Sequence, residues 1–268
     1  MQTPAMQTSP PAGPQKVTGH SSGCHGLDGG EVRWAQSNGY MLTIRPAPSE
    51  MEALCFIDVV NGAGHKLFEL NDFAIGLHDA TGKDIDGDGK GDAVIEATTG
   101  GHCCFQYAIL SLTPPKILAR IRNEREIAFE PGERGIVLHT QDGVFDFFGG
   151  FFATSPRADV FLRFEQGELR DVSTEHIDEY DRQIAEARQK LSQEEIERFH
   201  ESGPAPDKPE IHAAVVTIVL EYLYSGRADQ AWKEFDAMWP EKSRERFRKL
   251  IIDTRARGIL APISGGKK

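Results

Sequence analysis

Between about residues 31 and 172, apolar side chains recur at every second position in short runs: 40–44, 54–59, 66–70, 73–78, 93–97, 105–112, 117–121, 135–140, 144–148 and 160–164. A period of two sends alternate side chains to opposite faces of an extended chain, so each run predicts a β-strand with one buried face. Turn-forming dipeptides separate several of them, at Asn61-Gly62, Thr81-Gly82, Asp142-Gly143 and Gln166-Gly167. Successive strands joined this way predict an antiparallel β domain. Twelve of the fifteen Phe fall within 31–172, which places a core there. In the aromatic stretch Phe145, Phe147, Phe148, Phe151 and Phe152, alternation assigns Phe145 and Phe147 to the core. Phe148, or the pair after Gly149-Gly150, is then left for the surface.

From about Thr174 the period lengthens. Ile177, Tyr180, Ile184 and Leu191 fall on one stripe of a helix over 175–190. Ser192 followed by Glu195 is a capping box that opens a short helix, closed by Gly203. After the Pro-rich 203–209 linker, helices are expected at 209–224, 227–238 and 241–257. The most apolar window, 213–220, falls well short of the ~20 residues of a membrane span and reads as a buried helix. Gly226, Ala231 and Phe235 have the spacing of a tetratricopeptide-like (TPR-like) hairpin. A lone hairpin cannot build a solenoid, so it is expected to pack on the sheet. Lys242, Arg244, Arg246, Arg248 and Lys249 make the last helix basic, a solvated face.

The fold class is therefore α+β: an N-terminal antiparallel β domain of blade-like, propeller-type meanders, then a helical segment containing the TPR-like hairpin. The expected organisation is a disordered Pro/Gly/Ser-rich tail over 1–30, the β domain over 31–173, a helical region packed on the sheet over 174–260 and a flexible tail over 261–268. The formal net charge of −11 over 268 residues argues against nucleic acid or an anionic membrane as partner. The expected partner is a protein or an envelope component, and the expected state is a monomer.

One stretch cannot belong to that core. Asp84-Ile85-Asp86-Gly87-Asp88-Gly89-Lys90-Gly91-Asp92 places four carboxylates in nine residues, and four like charges cannot be buried without partners. A hard cation removes the contradiction. Carboxylates at loop positions 1, 3, 5 and 9 (Asp84, Asp86, Asp88 and Asp92), with the Lys90 carbonyl at position 7, supply oxygens for Ca²⁺. The glycines allow the positive φ angles of a tight wrap. An EF-hand would need a bidentate Glu at position 12, where Ile95 stands, and a helix on either side. The residues after Asp92 read instead as a strand.

A DxDGDGxxD loop running straight into a strand resembles the calcium loops of bacterial VCBS/FG-GAP-type repeats, known from β-propeller blades. The resemblance continues in Thr98-Thr99-Gly100-Gly101-His102-Cys103-Cys104-Phe105, in the 152–163 segment and in the 223–240 hairpin, and covers roughly 40–260. His102 follows the glycines one residue earlier than in that pattern, and the second Asp/Gly loop is reduced to Glu130-Pro131-Gly132-Glu133-Arg134-Gly135. The resemblance implies an exported β-repeat protein and names no activity.

The first 30 residues show no basic n-region and no apolar h-region, so a signal peptide is not seen. Tracts of this composition often follow a removed signal peptide or a lipid anchor, and the expected location is periplasmic or extracellular. Calcium sites with dissociation constants of about 10⁻⁴–10⁻³ M belong to that compartment. Cys24, Cys55, Cys103 and Cys104 form an even set that fits two disulfides. Adjacent strand residues face opposite ways, so Cys103 and Cys104 are expected to pair with Cys24 and Cys55, in either order. A vicinal 103–104 bridge, or a zinc site from Cys24, His25, His102, Cys103 and Cys104, are the competing readings.

The sequence shows no catalytic set. Gly19-His20-Ser21-Ser22-Gly23 matches the nucleophile-elbow pattern but lacks the strand and helix that the motif requires. His102, beside two cysteines, is the best single acid/base candidate, although such a histidine is more often a packed residue. The expected function is a non-catalytic exported protein with a structural Ca²⁺ loop, serving binding or envelope association. The alternative is a metal-dependent hydrolase that uses the loop ion together with His102.

Overall fold

The computed structural model describes residues 32–35, 40–47, 55–98, 104–148, 154–202 and 209–264. It is α+β, with three four-stranded antiparallel sheets and six helices among these residues. Its contacts divide the chain into two compact units, one of 1–84, 89–101 and 106–120, the other of 85–88, 102–105 and 121–268.

The first unit is built from two meanders. β1 (Val32–Ala35), β2 (Tyr40–Pro46), β3 (Cys55–Asn61) and β4 (Lys66–Asp72) pair in chain order. So do β5 (Ala74–Leu77), β6 (Ala93–Thr98), β7 (Phe105–Leu112) and β8 (Pro115–Asn123). Alternate residues of both sheets meet in one core: Leu42, Ile44, Ile57, Val59 and Phe68 from the first, Ile75, Leu77, Ile95, Ala97 and Leu110 from the second. Each of these side chains apart from Ala97 contributes about 1.5–3 kcal/mol by leaving water. Asn61 sets the β3–β4 turn, since its side-chain oxygen accepts from the N–H groups of Ala63 (3.0 Å) and His65 (2.8 Å). Neither Cys55 nor Cys104 is a free thiol. Cys24 and Cys103 lie outside the described residues, and the expected pairing lies there with them.

The second unit sets helices beside a sheet of order β12-β11-β10-β9, formed by β9 (Ala128–Gly132), β10 (Gly135–Gln141), β11 (Asp159–Glu165) and β12 (Glu168–Asp171). Gln166 and Gly167 join β11 to β12 with φ of +55° and +78°, the two left-handed residues of a tight hairpin turn. The 130–135 stretch, expected as a degenerate second acidic loop, is the end of β9 and a two-residue turn, with Gly132 opposite Gly135. Backbone pairing has taken it over.

The helices are α1 (Ile177–Gln189), α2 (Gln193–Ser202), α3 (Pro209–Tyr224), α4 (Ala228–Met238), α5 (Arg244–Arg255) and α6 (Ala261–Ser264), the last standing where a flexible tail was expected. The capping box forms as the sequence predicts: Ser192 Oγ accepts from the Glu195 N–H (3.2 Å), and the Glu195 carboxylate accepts from the Ser192 N–H (3.1 Å). α3 ends in a Schellman-type closure, Arg227 N–H to Tyr222 C=O at 2.8 Å, with Gly226 at φ +80°. α4 then folds back along α3 and buries Ala231 and Phe235. Two residues before β11, Arg157 N–H donates to the α3 side chain Thr217 Oγ1 at 3.3 Å.

The 144–148 strand does not form. Asp142 caps a 3-10 turn over Gly143–Phe145 by accepting from the Val144 N–H at 3.1 Å. The change of period buries Phe145 and Phe148 and turns Phe147 outward, 64% exposed at φ +61°. Alternation had put Phe147 inside and Phe148 outside; a turn of three residues reverses both.

Candidate metal centre

The acidic loop joins β5 to β6, and its base is sewn shut by backbone bonds. His78 N–H donates to Val94 C=O (2.8 Å), Gly82 N–H to Asp92 C=O (2.8 Å) and Asp92 N–H to Lys83 C=O (2.8 Å). Thr81 Oγ1 bridges both backbone groups of Val94, at 3.0 and 3.1 Å. Gly91 is demanded by closeness rather than by φ, since a Cβ there would lie 2.6 Å from the Gly82 carbonyl oxygen. Gly87 and Gly89 have φ of +79° and +85°, the left-handed backbone expected of a tight wrap.

Within this continuous stretch Asp84, Asp86 and Asp88 each bring one carboxylate oxygen within 4.8 Å of the other two. Local hydrogen bonds orient them: Asp84 Oδ2 accepts from the Gly89 N–H (2.9 Å) and Asp86 Oδ1 from the Asp88 N–H (3.1 Å). Asp84 and Asp86 are half-buried and Asp88 is exposed, while Ile85 between the first two is buried. The side chain of Lys90 leaves the group and donates to the Thr113 carbonyl at 2.9 Å, tying the loop to the β7–β8 turn. Asp92 is fully buried, closes the loop through its backbone and is not part of the three-carboxylate group. Of the five residues expected at the site, the structure thus gathers three and gives the other two visible roles in holding the loop.

Three convergent carboxylates on a closed loop are an all-oxygen, three-negative donor set, the kind that suits a hard divalent cation. Among the described residues this is the one group of His, Cys, Asp and Glu with metal-binding proximity. His102, on which the hydrolase reading rests, lies outside the described residues, as do Cys24, His25 and Cys103 of the zinc reading.

Sequence reasoning missed a second set of polar groups, inside the β9–β12 unit. Asp142, 3% exposed, accepts from Tyr224 Oη (2.6 Å), Val144 N–H and Ile259 N–H (3.2 Å to Oδ2). Burial pushes its carboxyl up and the hydrogen bond from Tyr224 pulls it back. Gly258 must be glycine, because a Cβ would lie 2.0 Å from Asp142 Oδ2. His139 on β10 sits between Asp159 (Nε2 to Oδ1, 3.5 Å) and Glu130 (Nδ1 to Oε1, 3.7 Å). The hydrogen bond to Asp159, aided by both carboxylates' charge, raises its pKa against the opposing effect of burial. The signal for this set was Glu221, one acid closing the apolar run of α3.

No protein-family model, curated protein or solved structure matches the chain.

Proposed function

We propose that the chain is a non-catalytic exported protein in which loop 84–92 holds Ca²⁺ as a structural staple for a binding domain. The observation that carries this reading is the convergence of Asp84, Asp86 and Asp88 within 4.8 Å on a loop whose base is closed by backbone bonds. In this reading the three carboxylates hold the ion, with the Lys90 carbonyl and Asp92 as the remaining expected ligands. The ion neutralises charges that otherwise repel one another, and the loop then stiffens the β5–β6 connection.

Calcium is favoured over magnesium because a glycine-rich loop tolerates flexible, high-coordination geometry, whereas Mg²⁺ requires a near-ideal octahedron. Export follows from the affinity expected of such a loop, and the VCBS/FG-GAP likeness of the DxDGDGxxD stretch points the same way. The meanders would then be blade-like repeats and the α3–α4 hairpin TPR-like, with a protein or envelope component as partner. No described helix is long and apolar enough to cross a membrane.

The test is a thermal melt with and without EDTA. The chelator is expected to lower the melting temperature of the wild type and to leave Asp86→Ala unaffected. A wild-type melt that ignores both the chelator and added calcium overturns the proposal.

A further inference from the structure

The α3 helix is apolar on nearly every side, with residues 211, 214–216, 218–220 and 222–223 buried, yet it carries Glu221 at 2% exposure. An acid costs several kcal/mol to bury in ionised form without a cation or donors to receive it. Glu221 has one donor, the backbone N–H of Asp159 at the start of β11. Its second oxygen, Oε2, is buried without a hydrogen-bond partner, and so is Oδ2 of Asp159, itself 2% exposed. Two neighbouring carboxyls thus each present an orphaned oxygen, and two acceptors cannot satisfy one another.

One proton resolves this. A protonated carboxyl is a donor, and an ionised neighbour is an acceptor. We propose that Glu221 is held as a neutral carboxylic acid in the folded protein at neutral pH, its proton shared toward Asp159, and that this proton latches α3 to β11. Loss of the proton leaves a like-charged, desolvated pair and loosens the helix from the strand, so this unit tightens as the solution becomes more acidic.

The surroundings agree, element by element. From β11 the Asp159 charge disfavours ionisation of Glu221, and from α1 Glu179 does the same. Burial is the largest influence in that direction. Tyr180 on α1 donates its hydroxyl to the Asp159 carbonyl at 2.7 Å, so α1 and α3 grip the same peptide residue from its two backbone sides. Asp171 on β12 adds negative charge near Tyr180. From β10 His139 faces the other Asp159 oxygen, Oδ1, at 3.5 Å. Two influences oppose: the backbone hydrogen bond from Asp159 and, more weakly, the charge of Arg227, just past α3, favour the charged form of Glu221. The Arg227 Nε is engaged by Ser225 Oγ at 2.8 Å and its Nη1 by Asp181, its plane lies over the Tyr222 ring, and its Nη2 is buried without a hydrogen-bond partner.

The experiment compares pH-dependent urea unfolding of the full chain with that of Glu221→Gln, which keeps a donor on a side chain of the same shape and cannot ionise. A carboxyl raised in the folded state contributes stability that is fully present below the ordinary carboxylate range and is lost as pH climbs toward the folded value. Across that window the wild-type unfolding constant is expected to rise by up to about tenfold per pH unit relative to the Gln variant. Parallel curves for the two proteins overturn the proposal. A second measurement needs no variant: infrared spectra of wild type labelled with ¹³C-glutamate at neutral pH. A protonated-carboxyl C=O band that shifts with the label and vanishes on unfolding supports the latch, and no such band sinks it.

Discussion

Replacing Asp86 by Asn tests the loop through the sign of its effect. Asp84, Asp86 and Asp88 place three carboxylate oxygens within 4.8 Å of one another, which makes three repelling pairs. At that spacing two unit charges repel by about 0.9 kcal/mol in bulk water and about 3.5 kcal/mol at an effective dielectric of about 20. Asp88 is exposed and the other two are half-buried, so the lower figure governs. Asn removes two of the three pairs and keeps an oxygen to accept the Asp88 N–H, so without metal the variant should be more stable than wild type by about 2 kcal/mol at low salt. With calcium the balance changes. A dissociation constant of about 10⁻⁴–10⁻³ M at about 10 mM calcium stabilises the wild type by roughly 1.4–2.7 kcal/mol. That raises the melting temperature by about 3–11 °C. The variant has lost a charged ligand and should barely respond, so its advantage shrinks to nothing or reverses. Differential scanning calorimetry in EDTA and in calcium at matched ionic strength reads both arms. If Asp86→Asn is less stable than wild type in EDTA, the repulsion argument is wrong; if it gains as much from calcium as wild type does, Asp86 is no ligand.

Two further outcomes follow from the second unit. His139 has its pKa raised by Asp159 and Glu130, so the stability its charged form contributes is present below the ordinary imidazole value and lost as pH rises through the raised one. An NMR titration should place His139 above that ordinary value and show it falling in Asp159→Asn; a midpoint at or below it refutes the pairing. Tyr224→Phe removes the 2.6 Å donor to a buried carboxylate and should cost about 1.5–3 kcal/mol in urea unfolding, and a loss under about 0.5 kcal/mol shows that Asp142 does not depend on it.

Period-two runs located nine of the twelve strands among the described residues, and the three that escaped are β1, β9 and β12, all at sheet edges. An edge strand is bonded on one side only, so its residues answer more to water than to a core. β9 carries Pro131 and Gly132, and β12 reads Glu168-Leu169-Arg170-Asp171 with three of its four residues charged. Proline and charge on an edge guard against pairing with other chains, and the same features erase the alternation that reveals a strand. The 144–148 run failed for the opposite reason: its alternation was real, but Asp142 drew the backbone into a 3-10 turn before a strand could begin. Helix ends were legible where a side chain does the capping, as at Ser192, because the capping residue is itself the signal.

For the site, what sequence shows depends on whether the contact is local. Asp84, Asp86 and Asp88 converge through bonds no longer than five residues in chain separation, so their spacing alone was enough to bring them together. Asp92 and Lys90 are the loop residues placed by longer-range ties, to Lys83 and to Thr113, and spacing could not reveal those roles. Glu221 is the extreme case. Its neighbours in the chain describe an apolar helix, and its donor comes from Asp159, far away along the sequence. An acid inside an apolar run therefore announces a tertiary partner without naming it. A sequence pattern can flag such a residue by its cost, and only the fold shows what offsets that cost.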